Sequence, residues 1–345
     1  MNKLVFLFLV LTFFSCDSQT QSIDALQSIE NQDFEKMNGL SLVSMNRLLE
    51  ASEVPYILRS NANWTSVIPF AFLPSQDAPG LTFNSEWQWK GERIDGAKNA
   101  IQLMHENGVS VMLKPQIWVG HGVFTGKIEM QNEKDWKQLE DEYGSYILTF
   151  AKLAEEEKVE MICIGTEMHE FAVQRADFWK SLIKDLREIY SGKLTYAENW
   201  DCYSEVSFWT DLDFIGIDAY FPIAEGNNPS EGKLREAWDK LESEFSEFST
   251  HVDMQIVFTE YGYRSIANCA EAPWNYKSES KISERAQERA LSALYDAIWD
   301  KPYFAGGFLW KWYPDHEKAG GSKNNMFTVQ NKAAEKLVRE VYGRK

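Results

Sequence analysis

Glu160-Met161-Ile162-Cys163-Ile164-Gly165, followed at once by Thr166-Glu167, is the stretch on which the fold turns. Four apolar side chains follow one another without polar alternation, so a strand here is buried on both faces, as in a parallel sheet covered by helices. Helical periodicity lies on either side. Upstream, Trp136, Leu139, Tyr143, Tyr146, Ile147 and Phe150 keep one face at three- and four-residue steps. Downstream, Trp179, Leu182, Ile183, Leu186 and Tyr190 do the same. The pattern recurs outward in both directions. Short apolar runs stand at 39–43, 66–72 and 110–115 before it, and at 193–197, 214–218, 255–260 and 305–310 after it. A further helical face follows at Ala286, Ala290, Leu291, Leu294 and Ile298. Only the segment after 193–197 lacks a clear helix and offers at best a short piece near 204–212. Eight strands alternating with helices over about 310 residues predict an α/β fold, a single-domain (β/α)8 TIM barrel. The rival, a doubly wound open sheet, has no GxGxxG after its first strand.

Composition narrows the partners. The chain has 345 residues and a formal net charge of −17, which repels a phosphate backbone and argues against nucleic acid. Thirteen Trp in so acidic a chain fit stacking on sugar faces, although the core claims its own share of rings. Cys163 lies within an apolar strand and reads as inert core; Cys202 with Cys269 is left as the one disulfide pairing open. No CxxC pair and no HExxH occurs, and His169 with Glu170 has no matching third ligand along the chain. No metal, cofactor or protein partner is therefore expected.

The N-terminus reads as a targeting segment. After Lys3, residues 4–14 are apolar apart from Thr12, and Ser15-Cys16 follows. Such a run is too short to span a bilayer and suits a signal h-region. A small residue before Cys at its end resembles a bacterial lipoprotein box. The expectation is a signal peptide over 1–15, a lipidated Cys16 with a polar tether over 16–35, and the barrel over 36–345. The chain would then sit at the bacterial cell envelope, periplasmic or cell-surface, held to the membrane through its lipid anchor only.

In a TIM barrel the working groups sit at the C-terminal ends of the strands. Two apolar runs end there in a carboxylate: Gly165-Thr166-Glu167 and Phe258-Thr259-Glu260. A charge at that point is costly to bury and should face the barrel mouth. Two carboxylates across one mouth are the equipment for cleaving a glycosidic bond. Asp211, Asp213 and Asp218 read as loop caps and strand-end polar contacts.

The chain resembles glycoside hydrolase family 113, a group of clan A barrels known as β-mannanases, over about 39–342. The resemblance is carried by Trp89-Lys90-Gly91-Glu92-Arg93, Met112-Leu113-Lys114-Pro115 and Ile164-Gly165-Thr166-Glu167. It continues in Tyr196-Ala197-Glu198-Asn199-Trp200, Ile215-Gly216-Ile217-Asp218-Ala219-Tyr220, Phe258-Thr259-Glu260-Tyr261-Gly262-Tyr263-Arg264-Ser265 and Phe308-Leu309-Trp310-Lys311-Trp312. It implies Glu167 as acid/base, Glu260 as nucleophile and Tyr220 as the group that orients the nucleophile. Trp310 would form the floor under the cleaved sugar. Lys114, Gln116 and Trp118 would bind its non-reducing side, with Trp89 as a further stacking ring. Arg264 is placed near Glu260 or in a loop contact. The clan carries Asn before its acid/base; here that residue is Thr166, so the sugar 2-hydroxyl contact passes to another group such as Asn199. The reaction implied is retaining hydrolysis of β-1,4-linked mannan or manno-oligosaccharides, with the two carboxyl groups in the shorter, retaining separation. The alternatives are another clan A specificity, xylan or β-glucan, and a non-catalytic glycan-binding surface lipoprotein.

Overall fold

A computed structural model describes residues 35–344. The expected signal peptide and lipidated Cys16 lie outside the described residues. Eleven strands follow in chain order: β1 (Met37–Leu42), β2 (Trp64–Val67), β3 (Phe70–Leu73), β4 (Thr82–Phe83), β5 (Ser110–Leu113), β6 (Gln116–Val119), β7 (Met161–Thr166), β8 (Lys193–Asn199), β9 (Phe214–Ala219), β10 (Ile256–Tyr261) and β11 (Phe304–Trp312). Eight of them close a parallel barrel in the order β1-β11-β10-β9-β8-β7-β5-β2. This is the (β/α)8 architecture the sequence predicts.

The helices are α1 (Val54–Leu58), α2 (Ile94–Glu106), α3 (Glu133–Glu156), α4 (His169–Gln174), α5 (Ala176–Ile189), α6 (Glu231–Val252), α7 (Glu284–Ile298) and α8 (Ala333–Tyr342). Asn132, Ser230 and Ser283 cap α3, α6 and α7 by accepting a backbone N–H three residues on. The segment after β8 carries only 3-10 turns at Tyr203–Glu205 and Trp209–Asp211, as its weak periodicity indicates.

Two expected strands end early, and prolines are the reason. The run 66–72 breaks at Ile68-Pro69 and the run 110–115 at Lys114-Pro115. Proline has no N–H to give to a ladder. Beyond the breaks β3 and β6 pair with each other, Phe70 opposite Gln116, and β4 joins β3 antiparallel. The result is a three-stranded sheet continuing β2 and β5 past the barrel.

The barrel wall separates two packed regions. Inside lie Met37, Met112, Met161, Cys163, Phe214, Val257 and Phe308. Between wall and helices, Tyr143 of α3, Phe171 of α4, Trp179 of α5 and Tyr196 of β8 form one aromatic cluster. All six apolar residues of the periodic face on α3 are buried. The cluster braces β7 and β8 from behind, and Tyr143 donates a 2.7 Å hydrogen bond to the Ile164 carbonyl. Among the described residues no helix is long and apolar enough to cross a membrane. Cys163, Cys202 and Cys269 are free thiols.

Candidate active site

Period-two alternation along β5 turns Met112 into the barrel, and continuing it carries Lys114 to the same side. Lys114 is fully buried. Its Nζ donates to Glu260 Oε1 at 2.6 Å and to Asp218 Oδ1 and Oδ2 at 2.8 and 3.1 Å. Gln116 Nε2, two residues on, donates to the same Glu260 Oε1 at 2.7 Å. Tyr220 OH reaches the other oxygen, Oε2, at 2.8 Å. Glu260 is thus gripped by three donors from two sides of the mouth. Thr259 Oγ1 donates to Asp218 Oδ1 at 2.7 Å. Strict alternation would turn Thr259 and Glu260 to opposite faces. Both reach the mouth because the register of β10 against β9 shifts between Phe258 and Glu260, leaving Glu260 opposite Asp218.

Glu167 follows β7 directly and adopts a left-handed backbone, φ 51°, that turns the chain at the rim. Its N–H donates to the Ala197 carbonyl of β8 at 2.7 Å. Burial holds its carboxyl well above the usual carboxylate range; the charges of Asp218 and then Glu260 add to that, and Lys114 opposes it. Asp218 is pushed up to about 7, by burial first and by Glu260 second. Burial by itself would depress Lys114, but Asp218 and Glu260 together leave its pKa raised, so the ammonium persists. Glu167 and Asp218, both buried and both raised by the neighbouring carboxylates, titrate as a unit. The proton that stays is favoured on Glu167, to which no cation is bonded among the described residues, and Glu260 keeps the Lys114 contact. Such a divided pair can supply a proton on one side of a substrate and a nucleophile or base on the other.

The sequence profile of Glycoside Hydrolase Family 113 matches residues 50–332. The chain belongs to glycoside hydrolase family 113. This family 113 chain is therefore a glycoside hydrolase. Its fold is similar to that of the family 113 β-mannanase AaManA from Alicyclobacillus acidocaldarius, with a TM-score of 0.79 at 22% identity, covering 90% of this chain and 98% of that one. A second structure described as a GH113 β-1,4-mannanase matches with the same score and identity and is covered completely. A β-glucuronidase from Ruminococcus gnavus matches at a TM-score of 0.59 and 13% identity, covering 89% of this chain and 49% of that one. This chain thus spans about half of the glucuronidase. No curated protein matches it.

The other expected site residues of the family 113 chain separate into groups. Trp310 is partly exposed on β11, the strand next to β10. Its carbonyl packs against Gly262, where a Cβ would come within 2.6 Å of that oxygen, so the end of β10 needs a glycine there. Trp118 stands half-exposed on β6 and stacks on Phe70 at 5.4 Å. Trp89 is half-exposed on the rim loop before α2. Asn199 ends β8, and its side chain donates to Asp201. One expectation needs correction, and for Arg264 the loop contact is the reading that holds. Lys114 has no exposed surface with which to meet a sugar; it is the internal counter-charge of Glu260 and Asp218. Arg264 is not beside Glu260: its guanidinium donates to the carbonyls of Asn325, Asn275 and Ser278 and ties three loop positions together.

Sequence reading missed three groups. Asp218, read as a strand-end polar contact, lies at the centre of the ion network. Glu198 is buried at the end of β8 and accepts the Asn199 N–H at 2.8 Å. Lys311 places its ammonium 5.3 Å from the Trp310 ring; burial lowers its pKa, opposed by Glu260. The available signal was position: Asp218 and Glu198 end apolar runs as Glu167 and Glu260 do.

Proposed function

We propose that this family 113 hydrolase cleaves β-1,4-linked mannan or manno-oligosaccharides with retention of configuration. Glu260 is the nucleophile and Glu167 the acid/base. The observation that carries the reading is the three-donor grip on Glu260 set against the raised pKa of Glu167. In the first step Glu260 attacks the anomeric carbon while Glu167 gives its proton to the departing glycosidic oxygen. In the second, Glu167, now ionised, takes a proton from water as that water displaces Glu260 from the glycosyl ester. Tyr220 and Gln116 hold the attacking carboxylate in line, and Trp310 supplies an apolar face for the sugar. The mannan specificity is supported by the family and by the named activity of the two similar structures. We further propose that Cys16 carries a lipid anchor at the bacterial cell envelope, a reading supported by the sequence at 4–16.

The test is chemical rescue. Glu260→Gly abolishes hydrolysis, and azide restores it on an activated aryl β-mannoside with a glycosyl azide of inverted configuration. Glu167→Gly retains the first step on such a substrate, and azide gives the retained product. The opposite pattern reverses the roles, and undiminished activity in both variants removes the assignment. A product profile on pure β-mannan, xylan and β-glucan oligosaccharides decides the glycan.

A further inference from the structure

Two residues past Glu167 along the chain, His169 belongs to a cluster that the proposed hydrolysis does not use. His169 opens α4 two residues after Glu167, and Cys202 and Glu205 belong to the loop after β8. A ring nitrogen of His169, the Cys202 thiol and a Glu205 carboxylate oxygen all lie within 4.8 Å of one another. His169 Nε2 stands 3.6 Å from Glu205 Oε2. Tetrahedral zinc with ordinary bond lengths spaces its N, O and S ligands about 3.4 to 3.6 Å apart. One pair is therefore already at ligand spacing, and the sulfur, within 4.8 Å of both, needs a shift of at most about 1.3 Å. The second ring nitrogen is informative. Nδ1 of His169 is buried with no hydrogen-bond partner and faces the buried Glu198 Oε2 at 3.7 Å. A metal-bound histidine turns its other N–H to a carboxylate, and a shift of about 0.5 Å would bring Nδ1–H onto Glu198 and fix the tautomer that leaves Nε2 free to ligate. Glu205 is more than half exposed, so an ion has a path in from solvent.

We propose that His169 Nε2, Cys202 Sγ and a Glu205 carboxylate oxygen form a binding site for one zinc-class divalent cation, clasping the loop after β7 to the loop after β8. Nitrogen, thiolate and carboxylate together suit a borderline-soft ion such as Zn²⁺ and disfavour Mg²⁺ or Ca²⁺, which take all-oxygen shells. Binding replaces the thiol S–H bond with a metal–sulfur bond. The proton leaves through Asp201 Oδ1, which the thiol faces at 3.4 Å, and passes to solvent. Water or Asp201 completes the fourth position. Glu198 acts as a positioning residue through His169.

The full chain is stripped with a chelator, dialysed and titrated with Co²⁺ followed by absorption, and with Zn²⁺ by calorimetry. One equivalent binds, with tetrahedral ligand-field bands and a thiolate-to-cobalt charge-transfer band. Cys163 and Cys269 are buried, and loss of that band in Cys202→Ser separates Cys202 from Cys16. Cys202→Ser abolishes the band and weakens Zn²⁺ binding about a hundredfold or more; His169→Ala and Glu205→Gln weaken it as well. Glu198→Gln weakens it about tenfold and keeps the band. At a hundredfold excess over Kd, Zn²⁺ raises Tm by about 4 °C in the unsubstituted chain and by under about 1 °C in Cys202→Ser. Circular dichroism of each apo variant confirms that it is folded. No binding by the folded apo protein, a cobalt spectrum without the charge-transfer band, or unchanged affinity in Cys202→Ser each overturns the site. None of these readouts depends on hydrolysis, so failure here is distinct from failure of the proposed reaction.

Discussion

Lys114→Met removes the cation bonded to Glu260 and Asp218 while nearly keeping the volume of the side chain. Lys114 Nζ lies 2.6 Å from Glu260 and 2.8 Å from Asp218, with no exposed surface. Deleting one member of such a buried ion group costs about 3–5 kcal/mol, because the remaining charges stay buried without compensation. Spread over a barrel of this size, that lowers Tm by roughly 5 to 8 °C at neutral pH. The chain can relieve the cost by taking up a proton on the carboxylate pair, so the loss is smaller in acid and larger in base. Lys114 also opposes the rise in the Glu167 pKa, so its loss moves the basic limb of the activity profile upward. Asp218 also loses the cation that lowers its pKa and so binds a proton at higher pH. The expected outcome is a kcat/KM reduced about 10²- to 10⁴-fold at neutral pH, with the basic limb displaced toward alkali. The assay is kcat/KM on a manno-oligosaccharide from pH 4 to 9, with Tm measured at both extremes. A profile that superimposes on that of the unsubstituted enzyme, with kcat/KM within threefold, would refute the reasoning and return Lys114 to a purely structural role. A folded variant that has lost activity evenly at all pH values would refute the electrostatic part alone.

Asp218→Asn acts in the other direction on Glu167. Asp218 is the largest charge raising the Glu167 pKa, so its removal lets Glu167 lose its proton at lower pH; the basic limb of kcat/KM moves down and neutral activity falls about tenfold. An unmoved basic limb would mean that Asp218 does not act on the acid. Trp310→Ala cuts kcat/KM at least about tenfold through lost contact with the sugar, with a change in Tm under about 2 °C, because the ring is already partly exposed. A large loss of Tm with normal specific activity would make the ring core. Cys16→Ala shifts the protein from the detergent phase to the aqueous phase on partition, and equal partitioning of both forms removes the anchor.

The sequence by itself determined the barrel and where its working end must lie. Apolar runs without alternation demand burial on both faces, and alternation with helices leaves few ways to provide it. The strand-end positions of Glu167 and Glu260 were legible for the same reason: each ends such a run, where a carboxylate is costly to bury. Linear reading could not decide what those carboxylates meet. Lys114 and Asp218 stand 104 positions apart and Lys114 and Glu260 stand 146 apart, so their ion group exists only once the barrel closes. Alternation alone would have turned Thr259 and Glu260 to opposite faces, and the register shift in β10 carries both to the mouth. Arg264 is close to Glu260 along the chain yet bonds three loop carbonyls. His169 lacks a partner ligand along its own helix and finds Cys202 and Glu205 on the neighbouring loop. Periodicity is a local property of the chain and can be read from it; which charge lies against which is set by closure of the barrel.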